Sequence, residues 1–473
     1  MERRVGARLR VAHLMGGVAL AALPAFAFAP AFAQETVQTQ QAADTQPQND
    51  EGSDRVVVTG SLIRGVSPVG TNSLTIDEDI IEATGASNTN QVLATLPLVS
   101  NAFNTNTVNL TDVGTTTFRP NIRNIGAAGG NSTLVLINGN NQVGAGILQT
   151  TPDSGVIPPG MLSRVEVLAD GGSSLYGADA IGGIVNFITK RRQDGTRVDL
   201  DYGFTADGYE SASLNVTTGF DWDGGNAVLS AFTRSNSELL AGDRDLPRQN
   251  LQPFGGTDRR TTACDTPNFT VGATTYTYTG SAFATGATRC EGALGAGIVP
   301  QERQNALYGF LTHSFTDDIT FEVTANYSDR VTKSHLDIFD ATNLTIPTTN
   351  FYYTPIPGAP GAQAATFSYA PAFGPVNKSR GELETYQITP TLIWDIGNDW
   401  EIKGTYNYGW SNTTSLTPQV NAAAQTAAAN GTTAATALNP YNIAATNPGV
   451  LANIRNSEIY GENTQTLSDT KLV

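Results

Sequence analysis

The side chains that most often perform catalysis or bind metals are few and scattered in this chain. Its three histidines are His13, His313 and His335. His313 and His335 have no companions at the spacing of metal ligands. No Ser/His/Asp group and no paired carboxylates stand out as a nucleophile with its acid or base. We therefore expect no enzyme and no cofactor, and we expect His313 to lie on the face of a strand.

The N-terminus indicates export. Four arginines within the first ten residues precede an apolar run, and Ala31-Phe32-Ala33 forms a small-x-small cleavage site. This pattern predicts a signal peptide over residues 1–33. The alternative, a membrane anchor, is disfavoured by the cleavage site and by Pro24 and Pro30.

The composition favours strands with one polar and one apolar face. Charged residues make up only 15% of the chain and apolar residues only 40%, with 48 glycines. After the N-terminus there is no run of the roughly 18 apolar residues that a membrane helix needs. The net charge of −16 argues against nucleic acid as a partner.

The two cysteines, Cys264 and Cys290, form an even pair in an exported chain, which predicts a disulfide. Both lie in a segment rich in Thr and Gly. The bond is therefore expected to join two parts of a loop rather than to cross a core.

Residues 34–61 combine a polar tether with a short β-prone segment. Residues 34–54 contain hardly any apolar side chain, so they cannot bury enough surface to order themselves. Arg55-Val56-Val57-Val58-Thr59-Gly60-Ser61 follows without a nearby partner strand. Two interpretations stay open: it is the first strand of the next domain, or it is a strand that another protein adds to its own sheet edge.

Residues 62–192 are predicted to form one small α+β domain. The predicted elements are a strand over 69–76, helices over 75–83 and 88–96, and strands over 118–126 and 133–138. Asp77 and Asn88 or Ser87 are expected to cap the helices, and Pro97 ends the second one. Asn138-Gly139 is a strong turn signal.

The glycine-rich stretch 165–192 closes this domain. A short strand leads into a run of small residues with one aromatic, Tyr176, and then into an apolar strand that ends on Lys190-Arg191-Arg192. Taken alone, the stretch fits a glycine-rich hairpin of any globular sheet.

From residue 196 the apolar residues alternate with polar ones, which is typical of strands. The strands are predicted at about 197–205, 210–222, 226–237, 303–316, 318–333, 382–396, 399–413 and from about 460 onward. The links after the second, fourth and sixth strands are tight, whereas those after the third, fifth and seventh strands, 238–302, 334–381 and 414–459, are long. This alternation is the mark of an outer-membrane barrel with short periplasmic turns and long external loops.

These blocks resemble, in order, those of a TonB-dependent outer-membrane receptor. Residues 55–61 look like the TonB box, and 67–97, 121–126, 134–139 and 157–190 resemble successive signatures of the plug domain. The most specific run is Ser-Leu-Tyr-Gly-Ala-Asp-Ala-Ile-Gly-Gly-Ile-Val-Asn at 174–186. The implied fold is an α+β plug followed by an antiparallel transmembrane β-barrel.

The resemblance also implies site residues and partners. Arg55, Val56, Val57, Val58 and Thr59 correspond to the box, which pairs with a TonB-type energy-transducing protein in the periplasm. The plug signature residues are Arg123, Asn138, Gly139, Glu166, Asp170, Gly171, Tyr176, Gly177, Asp179, Ala180, Gly183 and Asn186. The other partners are a small solute from outside and the lipid of the outer membrane. Arg119, Arg123, Arg164 and Glu166 are candidate charges between plug and barrel wall, the alternative being solvated plug surface.

The chain departs from the family pattern in several places. Asn124, Asn140 and Ala169 replace residues that are commonly glycine or basic. The family's barrel has 22 strands, of which residues 193–473 supply about eight, and the chain ends without the usual terminal aromatic residue. We expect a fragment or truncated product that does not insert stably by itself, because its sheet edges would be unpaired in lipid.

The predicted function is energy-coupled uptake of a scarce solute, such as an oligosaccharide or an iron–siderophore. The alternative is a passive porin or a surface adhesin. Phe351-Tyr352-Tyr353, in a long external link, either stack on a sugar ring or siderophore or pack within the loop. The residues do not decide the substrate.

Overall fold

The computed structural model describes residues 73–99, 117–122, 132–147, 150–169, 172–244, 249–336, 339–374, 378–398 and 400–473. The predicted signal peptide, tether and TonB box lie outside the described residues, as do the signature residues Arg123, Asp170 and Gly171 and the departure at Asn124.

The first domain is built on a mixed five-stranded sheet with the order β1-β6-β7-β2-β3. Its elements are β1 (Ser73–Asp77), α1 (Glu78–Ala83), α2 (Thr89–Ala94), β2 (Thr133–Ile137), β3 (Asn140–Asn141), β4 (Gly144–Ala145), β5 (Thr151–Pro152), β6 (Leu162–Leu168), α3 (Ser173–Tyr176) and β7 (Gly183–Thr189). β6 runs antiparallel to β1 and β7, whereas β2 runs parallel to β7. β2 and β7 are largely apolar and buried along their whole length, so they form the core of the domain.

Several local predictions for this domain hold. The backbone at Asn138 and Gly139 has φ values of 50° and 75°, as a tight Asn-Gly turn requires. Asn88 caps α2, since its side chain accepts a hydrogen bond from the Gln91 amide at 2.9 Å. The first helix begins at Glu78 rather than at residue 75, because Ser73–Asp77 pairs with β6.

Two local predictions are wrong. The side chain of Asp77 makes no capping hydrogen bond to α1. In the described part of 118–126 there is no strand, and Ile122 makes only an isolated bridge to Val99. The backbone there bonds to other partners, since the Ile122 amide donates to Thr133 Oγ1 and the Phe118 carbonyl accepts from the Ser154 amide.

The rest of the chain supplies fifteen strands and three helices among the described residues. The strands are β8 (Thr196–Phe204), β9 (Glu210–Trp222), β10 (Gly225–Asn236), β11 (Leu239–Leu240), β12 (Asn268–Val271), β13 (Thr274–Tyr278), β14 (Phe283–Thr285), β15 (Gly297–Val299), β16 (Gln301–Ser314), β17 (Ile319–His335), β18 (Asp340–Ile346), β19 (Gln363–Ser368), β20 (Lys378–Gly397), β21 (Trp400–Gln419) and β22 (Ser457–Leu472). The helices are α4 (Ala370–Phe373), α5 (Ala422–Ala429) and α6 (Pro448–Arg455).

Eight long strands form one antiparallel sheet, which we call the wall. Its order is β22-β21-β20-β17-β16-β10-β9-β8, so each strand pairs with the next long strand along the chain. All eight predicted strands are present, and the links after the second to the seventh of them alternate between short and long as predicted, whereas the link after the first is also short. Side chains alternate between the faces: on β20, Tyr386, Ile388 and Leu392 are exposed, whereas Thr385 and Gln387 are buried beneath the first domain. The predicted fold class, an α+β domain followed by long antiparallel strands of the barrel type, is confirmed.

The three long links fold together at one end of the wall into what we call the loop module. A five-stranded sheet with the order β14-β13-β12-β19-β18 combines the first two links, and the third contributes α5 and α6. Its core includes Phe269, Phe367 and Tyr369 together with Leu438 and Ile454, all buried. Within the described ranges, no helix has the length and apolar character needed to cross a membrane.

Candidate functional site

The candidate site is the interface between the first domain and the inner face of the wall. On one side the contact is apolar, because Val228 of β10 and Tyr308 and Phe310 of β16 belong to the same buried cluster as the domain's core. The approach is close at Gly160, where a Cβ atom would lie 1.8 Å from the side-chain Nδ2 of Asn215. Only glycine fits at this position of the domain without displacing the wall side chain.

Four charged side chains alternate in sign across this same interface, and we call them the charge chain. Arg330 of β17 binds Asp153 of the first domain with an Nη1–Oδ2 distance of 2.6 Å, and both side chains are buried. Arg330 Nε also lies 3.9 Å from Glu302 Oε2, and Glu302 binds Arg234 at 2.7 Å. The carboxylates and guanidinium groups neutralise one another, as buried charges must.

Residues near Asp153 make room for the charge chain and bond to it. The Gly155 amide donates to Asp153 Oδ1 at 2.7 Å, and the Arg330 guanidinium lies over the Phe118 ring at 4.3 Å. A Cβ atom at Gly155 would lie 2.3 Å from Arg330 Nη2, so glycine leaves the room that the guanidinium occupies. Gln304 donates to the Gly155 carbonyl at 2.5 Å. This corner of the domain is thus fixed to the wall by charge, stacking and hydrogen bonds.

The opposite side of the interface is held by hydrogen bonds from wall side chains to the main chain of residues 139–147, which we call the plug segment. The carbonyls of the plug segment accept from Lys471, Gln387, Asn407, Ser411 and Asn463 at 2.5–2.9 Å. Its amides at Val143 and Gly146 donate to Gln387 and Thr413. Asn141 also donates to Asp469 at 3.3 Å. The side chains of the wall therefore satisfy main-chain N–H and C=O groups of the plug segment, as a neighbouring strand would do with its own main chain.

Gly409 of β21 allows the closest approach on this side. A Cβ atom at Gly409 would lie 2.9 Å from the Cβ atom of Val143. Gly409 is bordered along the inner face by Asn407 and Ser411, which bind the plug segment directly. The glycine thus lets the plug segment lie flat on the wall.

The structure brings together several residues that the sequence singled out. Asn138 Oδ1 accepts from the Thr189 amide at 3.0 Å, and the Gly139 amide donates to Asn186 Oδ1 at 3.0 Å. These contacts tie the turn after β2 to β7. Tyr176 and Ala180 pack in a second small cluster with Ile184, behind the sheet.

The other signature positions differ in their surroundings. Gly177 and Gly183 have φ values of 79° and 132°, and a Cβ atom at Gly183 would lie 2.6 Å from the Leu168 carbonyl oxygen. Asp179 is exposed. Gly177 and Gly183 therefore serve the backbone geometry of this stretch, and the three residues do not form a chemical site.

Three of the four candidate interface charges are described, since Arg123 lies outside the described residues, and their placement against the wall stays a prediction. Arg164 and Glu166 form an ion pair with each other, with a 2.8 Å Nε–Oε1 distance, along β6. Arg119 is buried, and its Nε donates to Thr117. Sequence reasoning missed Asp153 and Arg330. The signal for Arg330 was its place on the inward face of β17, where charged side chains need a partner.

Three basic residues close the first domain, and two of them, Arg191 and Arg192, join it to the wall. Lys190 binds Glu78 at 2.6 Å, Arg191 binds Glu322 of β17 at 2.7 Å, and Arg192 binds Asp221 of β9 at 2.9 Å. Arg191 also lies over the Phe310 ring. The predicted junction between the domain and the wall thus carries one ion pair for each basic side chain.

The loop module contains the remaining predicted residues. Cys264 and Cys290 are joined by a disulfide, with their Cα atoms 5.8 Å apart. Tyr353 packs against the module's core and donates to the Gly361 carbonyl at 2.7 Å, whereas the Phe351 ring is half exposed against Tyr352. Burial raises the pKa of Tyr441 to about 12, so its hydroxyl stays neutral and donates to Gln363 at 2.7 Å.

The two histidines outside the signal peptide each have an identified neighbour. His313 Nδ1 accepts a hydrogen bond from Trp222 at 3.1 Å on the face of the wall, and His335 Nδ1 lies 2.6 Å from Glu238 Oε2. Among the described residues, no group of three or more His, Cys, Asp or Glu side chains is placed to hold a metal ion.

Comparison with known proteins adds a family match. Residues 66–184 match the family model described as the TonB-dependent Receptor Plug Domain, inside the range 62–192. The chain is 30% identical over 191 residues to the ferrienterobactin receptor of Escherichia coli K12, covering 38% of this chain and 24% of that protein. It is 41% identical over 73 residues to an iron-regulated outer membrane virulence protein of Vibrio cholerae serotype O1, covering 14% and 11% of the two chains.

The chain also aligns with solved structures at low identity. A ferric enterobactin receptor, PfeA of Pseudomonas aeruginosa, has 18% identity and a TM-score of 0.42, over 85% of this chain and 46% of that one. The ferric citrate transporter FecA has 13% identity and a TM-score of 0.35, over 74% and 48% of the two chains. This chain thus spans about a quarter of the curated ferrienterobactin receptor and about half of these solved chains.

Proposed function

We propose that this chain, which carries the plug domain of a TonB-dependent receptor of the bacterial outer membrane, binds a scarce solute from outside and passes it inward when a TonB-type partner pulls on residues 55–59. The observation that carries the proposal is a folded plug docked on the inner face of barrel-type strands. A domain in this position blocks passage until it is remodelled.

The plug is held by contacts that differ in how readily they break. The charge chain and the apolar contact with β10 and β16 resist displacement, because separating them leaves buried charge or exposes apolar surface. The hydrogen bonds to the plug segment can instead be replaced by water. A pull transmitted through the plug therefore remodels it in part, without expelling it.

The proposed role of residues 55–59 is to serve as the added strand. A short β-prone segment behind a polar tether suits capture at the sheet edge of a periplasmic partner, where main-chain hydrogen bonds supply the affinity. Residues 55–59 lie directly before the plug in the sequence, so a pull on the captured strand acts on the N-terminal end of the plug.

Deletion of residues 55–59 is expected to abolish uptake while solute binding at the cell surface persists. The measurement is binding and uptake of two labelled probes, maltohexaose and ferric enterobactin, in cells that carry the full gene product. The matched control removes five residues from the tether, 40–44, and should retain uptake. Unchanged uptake after deletion of 55–59 would count against the proposal.

The alternative of a passive porin or adhesin makes the opposite prediction for energy dependence. Collapse of the proton gradient should stop accumulation through an energy-coupled receptor, since the TonB-type partner then does no work. A porin would let the probe equilibrate at the same rate with or without the gradient. Uptake that is insensitive to the gradient would favour the porin.

A further inference from the structure

The inner face of β20, β21 and β22 beneath the plug segment carries a surface of one chemical kind. Inward positions from 385 to 391 on β20, from 405 to 415 on β21, and 463 and 465 on β22 are all Thr, Ser, Asn, Gln or Gly. We call these positions the amide–hydroxyl surface. Leu467 comes next on this face of β22, and the inward charged residues Lys403, Asp469 and Lys471 follow at the end nearest the short turns.

This surface already binds polar, uncharged groups in the resting structure. Gln387 is typical, because its amide donates to the Asn141 carbonyl at 2.8 Å and its oxygen accepts from the Val143 amide at 3.2 Å. Thr389 and Gln387 both bond to Asn407 Oδ1, which holds the amides in position. Side chains that satisfy peptide N–H and C=O groups can satisfy sugar hydroxyls in the same way, since a hydroxyl both donates and accepts.

The plug is attached unequally to the two halves of the wall. In the described structure, the plug's main apolar cluster includes wall residues from β10 and β16 but none from β20, β21 or β22. The charge chain likewise lies on β10, β16 and β17. The plug segment is therefore the part whose release costs least, because its hydrogen bonds exchange for bonds to water.

We propose that the plug segment is the movable part, and that its release exposes the amide–hydroxyl surface as a path for a neutral, polyhydroxylated solute such as an oligosaccharide. This inference rests on the proposed uptake function and names its solute class. An anionic ferric chelate would need a series of cationic partners, whereas on this face of β20, β21 and β22 the inward cations, Lys403 and Lys471, lie only at the end nearest the short turns. A neutral solute meets a continuous series of donors and acceptors, each weak enough to release it again.

A reversible tether tests the movement. Val143→Cys with Gly409→Cys joins the plug segment to β21, since the two Cβ positions lie 2.9 Å apart and a small displacement brings them into disulfide range. The control pair, Gly160→Cys with Asn215→Cys, tethers the firmly held side, where a Cβ atom at 160 would lie 2.8 Å from Asn215 Cγ. Both pairs are introduced into the full gene product.

Oxidation of the Val143/Gly409 pair is expected to stop gradient-dependent uptake of labelled maltohexaose, and reductant is expected to restore it. The variant with the oxidised control pair should still take up the sugar. Wild-type protein treated in parallel controls for reduction of the native disulfide. Continued uptake with the plug segment tethered, or loss with the control tether alone, would overturn the proposed movement.

A second experiment tests the solute class by comparing neutral and anionic probes. We expect gradient-dependent uptake of maltohexaose or xylohexaose. This uptake should be lost in the Gln387→Glu variant and retained in the control variant Glu458→Gln, which lies on the exposed face. Gradient-dependent uptake of ferric citrate alone would overturn the solute class and leave the proposed function intact. Uptake of neither kind above a strain lacking the gene would overturn both proposals.

Discussion

Asp153 and Arg330 show how a single pair can determine where the plug sits. Both side chains are essentially without solvent exposure, so neither charge can be stabilised by water. Their mutual attraction offsets the cost of burying them, and Glu302 and Arg234 extend the alternation. The pair therefore favours one docked position over others that would leave a buried charge alone.

Asp153→Asn is expected to destabilise plug docking by about 3 kcal/mol, because it leaves a buried guanidinium with one carboxylate fewer. The measurement is protease sensitivity of the plug against denaturant concentration. Arg380→Met is the control, since it removes one partner of an exposed Arg–Glu pair on β20 and should cost at most about 1 kcal/mol. Equal effects from the two variants would show that burial is not the cause.

Buried tyrosines give the loop module a sensitivity to alkaline pH. Burial raises the pKa of Tyr441 to about 12, above its ordinary value near 10. A raised folded-state pKa means that the neutral hydroxyl stabilises the module below pH 10 and that this contribution is lost as pH rises toward 12.

Tyr441→Phe should therefore reduce the loss of stability between about pH 10 and pH 12, because the variant has no hydroxyl to ionise there. It should also lower stability at neutral pH by about 1 kcal/mol through loss of the bond to Gln363. Near-ultraviolet circular dichroism against pH measures both effects. An alkaline transition identical to that of the wild type would assign the pH dependence to another group, Tyr369 being next, since burial also raises its pKa.

At the scale of elements, the loop module differs from the flexible connections that long links usually form. Strands from two links share one sheet, and helices from the third cover it, so the three links bury a common core. The Cys264–Cys290 bond closes a loop within the first of these links. The module therefore presents a preformed outer surface rather than ordering only when a solute arrives.

Replacement of both cysteines by serine is expected to destabilise the module by about 3 kcal/mol, because the separation of 26 residues makes the open loop costly to close. Hydrogen exchange of β12 and β13 in the full chain measures the loss. Exchange within β20 and β21 serves as the internal control and should be unchanged. A uniform increase over both regions would point to global unfolding instead.

At the scale of the whole molecule, the wall separates two environments. On β20 the exposed face carries Tyr386, Ile388 and Leu392, while the opposite face meets the plug with threonine and glutamine. A sheet with one apolar and one polar face suits lipid on one side and a plugged, hydrated interior on the other.

Ile388→Arg, at the middle of β20, should reduce the stability of the inserted protein by about 2–4 kcal/mol, because it places a charge at the centre of the apolar band. Ile396→Arg, on the same face near the short turn, should cost about 0–1 kcal/mol. Urea titration of the full gene product in lipid vesicles gives both values. Equal costs at the two positions would contradict a membrane-spanning orientation of β20.

Features that depend on short-range periodicity could be predicted from the residues alone. Alternating side chains predicted the eight wall strands, and the lengths of the links predicted which strand ends carry long loops. Asn138-Gly139 predicted the turn after β2. The ordered blocks around residues 121–186 likewise identified the plug. Each of these signals is contained in neighbouring residues, because backbone geometry repeats over two to four positions.

Contacts between distant side chains could not be predicted in this way and became known from the folded chain. Asp153 and Arg330 are 177 positions apart, and hydrogen bonds to the plug segment reach across more than 200 positions. The assembly of three links into the loop module likewise depends on contacts between residues far apart in the sequence. Such contacts depend on where the plug lies against the wall, a position that emerges from the packing of the whole chain rather than from any local pattern.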